Sequence, residues 1–86
     1  MSQTFNNWTN YSTWARQQYI YDCDEAMGQW IARAQELDVT ALAAELEEES
    51  YAGLAEMPTS FYREVLVTAI KEVNHLEIAE WLKGKV

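Results

Sequence analysis

The sequence predicts an all-α protein, a compact bundle of four to five short helices in a single domain spanning residues 1–86. Three observations carry that expectation. Apolar residues recur at steps of three and four along most of the chain, and the alternation of a strand occurs nowhere. Asn, Asp, Ser and Thr residues stand repeatedly where helix-capping side chains belong. Hydrophobic residues make up 49% of the chain and aromatic residues 13%. That composition suits a small core, since each large ring can bury roughly 150–250 Å².

Residues 1–11 have no helical period and read as an extended N-terminal arm, anchored by Phe5 and Trp8. A helix then starts near Ser12 or Thr13, either of which can cap it, and carries Trp14, Ala15 and the run from Tyr19 to Tyr21. Asp22 and Glu25 have the spacing of a capping box, which marks a fresh helix start. Ile20, Cys23, Met27, Trp30, Ala34 and Leu37 nevertheless continue one stripe, so a single helix bent at Asp22 is the alternative. Asp38 caps the next helix, with Val39, Leu42, Ala43 and Leu46 as its buried stripe and Glu45, Glu47, Glu48 and Glu49 as its wet side. Gly53 and the sole proline, Pro58, mark a turn. Thr59 or Ser60 caps a fourth helix whose wide apolar face holds Phe61 or Tyr62, Val65, Leu66, Ala69, Ile70 and Val73. Asn74 and Glu77 form a second capping box. The last helix carries Ile78, Ala79, Trp81 and Leu82 and ends at Gly84, where a left-handed cap is expected.

The same composition narrows the function. One cysteine, Cys23, excludes an internal disulfide framework and a multi-cysteine zinc site, and its place on the stripe suggests a buried side chain. No stretch approaches the ~20 apolar residues of a membrane span, and the first residues lack a signal-peptide pattern, so a cytoplasmic protein is expected. The net charge of −8 opposes direct binding to nucleic acid or to an anionic membrane, and favours a protein partner with a basic surface. His75, the only histidine, sits in a helix-start signal and reads as a surface or cap-adjacent residue. A general base would need a partner and a cleft. No metal-ligand spacing, phosphate loop or cofactor motif is present, so neither catalysis nor a cofactor is expected.

The run Trp8-Thr9-Asn10-Tyr11-Ser12-Thr13-Trp14 resembles a phrase, W-[ST]-N-Y-E-T-W, found near the N-terminus of a family of small uncharacterised phage and bacterial proteins. Tyr19-Ile20, the Asp-rich break from Asp22 to Glu25, and Val73-Asn74-His75-Leu76-Glu77-Ile78-Ala79 follow the same pattern. Ser12 replaces the usual Glu, and His75 the usual Trp. The resemblance covers both ends of the chain and leaves the acidic middle unaddressed. It implies a phage or mobile-element origin and no particular mechanism. Helical spacing also gives Tyr11 and Trp14 a structural role, as core and cap.

The acidic middle carries the most functional information. Between Arg33 and Arg63 there is no Lys or Arg, while Glu36, Asp38, Glu45, Glu47, Glu48, Glu49 and Glu56 fall there. A solvated helix face is the plain reading. Ordinary faces mix charge signs, however, because opposite charges at i,i+4 stabilise a helix, so a one-sign face suggests that the field is used. Small acidic phage proteins that block restriction or CRISPR systems share this size and charge. The leading expectation is therefore an inhibitor of a host nucleic-acid-handling protein, contacting it through Glu45, Glu47, Glu48, Glu49, Tyr51 and Glu56. The alternative is a structural or regulatory subunit that docks through the aromatic residues Trp8, Tyr11 and Trp14. Oligomeric state is not legible.

Overall fold

A computed structural model describes residues 7–86; the expected anchor Phe5 lies outside the described residues. Five helices follow one another: α1 Tyr11–Tyr21, α2 Asp24–Glu36, α3 Val39–Ala52, α4 Phe61–Glu72 and α5 His75–Lys83. No strand occurs among the described residues, and the all-α bundle is as the periodicity predicts. None of these helices is long and apolar enough to cross a membrane.

The core draws on four of the five helices. Ile20 of α1, Trp30 and Ala34 of α2, Leu42 and Leu46 of α3, and Ile78, Ala79 and Leu82 of α5 form one buried cluster. α3 and α5 make the most extensive pair, each presenting residues four apart, as helical neighbours on one face must be. Lys83 ties α5 to the end of α2, donating from Nζ to the carbonyls of Ala34 (2.8 Å) and Leu37 (2.9 Å). That ammonium satisfies carbonyls that a helix end leaves open. Leu54, in the turn after α3, is also buried.

Two expected caps form as read. Asp38 accepts from the Ala41 amide at 2.8 Å and Ser60 from the Arg63 amide at 3.2 Å. Several other readings are corrected. The first helix begins at Tyr11, not at Ser12 or Thr13, because Asn10 caps it, its Oδ1 taking the Thr13 amide at 2.8 Å. The arm is thus shorter by one residue at its described end. The chain does break at Asp22, but the capping box there does not form. Cys23 occupies the N-cap position with no side-chain bond, and Asp22 ends α1 while its carboxylate accepts from Gln18. The break rotates Cys23 off the stripe, and its thiol is exposed. Asn74 caps α5, yet Glu77 does not close the box, because its carboxylate takes the Thr9 amide instead. Gly84 has φ −68°, in the right-handed region, so no left-handed cap forms. The largest departure is α4, which buries none of its residues and leaves much of its apolar face in solvent.

Candidate functional site

α3 presents Glu45, Glu48 and Glu49 along the edge facing α2. Trp30, Glu45 and Glu49 are shared by two adjoining open grooves. One, of about 370 Å³, is completed by Glu48 and Ala52. The other, of about 440 Å³, is completed by Gln29, Ala32 and Arg33. Trp30 forms the floor because the α2 stripe turns it inward, where it is only 7% exposed.

The glutamates differ in how they are held. Arg33 grips Glu45 with two prongs, Nε to Oε1 at 3.2 Å and Nη2 to Oε2, and reaches Glu36 with Nη1 at 2.9 Å. Its pKa is raised, first by the hydrogen bond to Glu45 and then by that carboxylate's charge. Arg16 of α1 holds Glu49 at 3.0 Å. Glu48 has no such partner among the described residues. The two arginines that share this edge come from other helices, so sequence neighbours alone hid them. The expectation of an acidic face without compensating cations is corrected accordingly. Three carboxylates of α3 on this edge, Glu45, Glu48 and Glu49, meet two guanidiniums, and the edge stays acidic but is partly neutralised. Glu47 faces away towards His75. Tyr51, which is half-buried, and Glu56, in the following turn, line neither groove.

Behind this edge lies a polar cluster that the sequence reading missed. His75 is buried, not a surface residue, because the first turn of α5 packs against α3. Its Nε2 is 2.9 Å from Ser50 Oγ, and its Nδ1 is 3.9 Å from Glu47 Oε2. Serine, histidine and glutamate in that order match the residue types of a nucleophilic triad. The protons do not. Ser50 has one hydroxyl proton, which it gives to the Leu46 carbonyl at 3.0 Å, and its oxygen already accepts from Arg16 Nε at 2.8 Å. While that proton points to Leu46, His75 Nε2 is the donor to Ser50, opposite to the direction a general base requires; the imidazole tautomer sets which way this 2.9 Å bond runs. The cluster clasps α1, α3 and α5 together. His75 has its pKa lowered, chiefly by burial and further by the Arg16 charge, with Glu47 opposing.

The alternative aromatic patch is divided by the fold. Trp8 and Trp14 join Tyr21, Trp81, Gln17, Gln18, Glu77 and Asn7 around a shallow cleft of about 500 Å³. Trp8 meets Trp81 edge-on with ring centroids 6.0 Å apart. Tyr11 contacts the Trp14 ring but lines a different groove, between α1 and α4. Trp81 and Tyr21 were not singled out for this cleft, because only the tertiary arrangement brings α5 beside α1. No group of three or more metal-ligating side chains is assembled among the described residues.

The phrase from Trp8 to Trp14 and the phrase from Val73 to Ala79 meet in space. Asn10 Nδ2 donates to the Glu72 carbonyl at 2.8 Å, and the Asn74 amide donates to Thr13 Oγ1 at 2.8 Å. Thr9 donates its amide to Glu77 at 3.1 Å. The Asn-Tyr-x-Thr phrase therefore caps α1 and locks it to the α4–α5 junction. No family model, curated protein or solved structure matches this chain.

Proposed function

We propose that the protein is a non-catalytic inhibitor that binds a basic surface of a host nucleic-acid-handling protein, such as a restriction or CRISPR effector, inside the host cytoplasm. The observation behind this reading is the acidic α2–α3 edge, where Glu45, Glu48 and Glu49 surround the Trp30 floor of an open groove. Arg33 and Arg16 anchor two of the three carboxylates, so little side-chain freedom would be lost on binding. Side chains three and four apart on a helix lie roughly 5–6 Å from one another, a spacing comparable with successive phosphates along a nucleic-acid strand. A groove built for phosphates could accept them, and the protein would exclude nucleic acid without binding it.

The second reading, a regulatory or structural subunit, draws support from the cleft formed by Trp8, Trp14, Tyr21 and Trp81. Buried aromatic anchors commonly dominate protein interfaces. The partner is first isolated by affinity capture, and its affinity is then measured for wild type and for Glu45→Gln/Glu48→Gln/Glu49→Gln, which removes charge and keeps shape. The acidic-edge reading expects the triple variant to bind weakly, and wild-type binding to fall steeply with salt, since exposed charges are screened over ~10 Å at 0.1 M. Unchanged binding by the triple variant, with loss on Trp14→Ala, would instead favour the aromatic cleft.

A further inference from the structure

α4 has the sequence of a helix buried on two sides and the environment of one buried on a single edge. Val67, Ala69, Ile70 and Val73 are half-buried against the bundle, while Phe61 (75%), Tyr62 (76%), Val65 (48%) and Leu66 (41%) stay exposed. At about 150–250 Å² per large ring, and with the two aliphatic side chains added, this patch comes to roughly 400–500 Å². That is the size of the largest apolar patch on many monomers, and such patches are often functional. A chain of charge −8 repels its own copies, but α4 is the neutral helix: Arg63 and Lys71 balance Glu64 and Glu72.

Glu64 and Lys71 also stand in a self-complementary arrangement. Seven residues apart, they lie about 20° from one another around the helix, on the rim bordering Phe61 and Thr68. Neither makes an ion pair among the described residues. Parallel copies would set like charges together. An antiparallel pair about a two-fold axis beside Thr68 would set Glu64 of each copy against Lys71 of the other, as an isologous contact requires. Under the same symmetry Leu66 faces the small Ala69, which lets the axes approach.

We infer that the exposed face of α4 is a homodimer interface, formed by antiparallel α4 helices with Val65, Thr68 and Ala69 nearest the two-fold axis, Phe61 of each copy towards its outer end, and a Glu64–Lys71 bridge on its rim. The apolar patch is smaller than the roughly 600 Å² per partner at the low end of stable interfaces, so the dimer is weak and forms at high concentration. It does not depend on the acidic α2–α3 edge, and Glu45→Gln/Glu48→Gln/Glu49→Gln should dimerise at least as well as wild type.

Sedimentation equilibrium of the full chain from micromolar to millimolar concentration tests the inference. Wild type should dimerise, and more tightly at moderate than at low salt, because screening relieves repulsion between two acidic copies. Val65→Glu should weaken the dimer at least tenfold with unchanged helicity. Glu64→Lys and Lys71→Glu should each weaken it several-fold, and the double swap should recover most of the loss. A chain that stays monomeric throughout, a Val65→Glu variant that dimerises like wild type, or a double swap no tighter than the single changes would overturn it.

Discussion

Replacing Thr13 with valine separates hydrogen bonding from packing at the junction between the two ends of the chain. Thr13 is fully buried, and its hydroxyl donates to Asn10 Oδ1 at 2.7 Å and accepts the Asn74 amide at 2.8 Å. Valine nearly matches threonine in shape and has a similar helix propensity, so the void it creates is small. It removes both bonds and leaves the Asn74 N–H without its acceptor. A lost bond costs about 0.5–1.5 kcal/mol, and an unpaired donor about 1–3 kcal/mol when buried, less for the part-buried Asn74 N–H. About 2 kcal/mol is therefore expected for Thr13→Val, a large share of the roughly 4–13 kcal/mol typical of a domain this size. Thr13→Ser keeps the hydroxyl and deletes one methyl, for about 0.8 kcal/mol. Urea melts at neutral pH should rank wild type above Thr13→Ser, and Thr13→Ser above Thr13→Val. The reverse order of the two variants would mean that Thr13 acts by packing alone, and the clasp would have no energetic role.

Trp30→Ala should cost about 3–5 kcal/mol as a large-to-small change in the core, measured by the same melts; a loss below about 1 kcal/mol would contradict the burial of α2. Stability should also depend on pH through His75. Its folded pKa lies below the ordinary value of 6.5, so the unfolded chain binds more protons as pH falls. The contribution is therefore complete above about 6.5 and is lost as pH drops below it towards the lowered folded value. Thermal melts of wild type and His75→Gln should differ by this decline, with the wild type losing more on acidification below about 6.5; a wild type no more acid-sensitive than the variant would contradict it.

What was legible in the sequence followed from local rules. Asp38 and Ser60 cap their helices through bonds to amides three residues ahead, and such spacing survives any tertiary arrangement. The stripe of Leu42 and Leu46 needed only helical period. The misreadings came from side chains with a choice of partner. Glu77 could close a box on its own helix or reach Thr9, and the docking of the N-terminal segment decided for Thr9. His75 looked polar and terminal, but the packing of α5 on α3 buried it against Ser50. At the candidate site the glutamates of α3 were evident, whereas Arg16 and Arg33 arrive from other helices and temper the acidity. The wide apolar face of α4 was legible, but periodicity reports that a face is apolar, not what covers it.

The most direct test of the acidic edge is competition for the captured partner. A fluorescent DNA or RNA ligand is bound to that partner, and its release by this protein is followed by anisotropy at low and moderate salt. Wild type should displace the nucleic acid without binding it. Displacement should weaken as salt rises, and Glu45→Gln/Glu48→Gln/Glu49→Gln should displace little. A ternary complex in which nucleic acid stays bound, or a triple variant that competes as well as wild type, would contradict it.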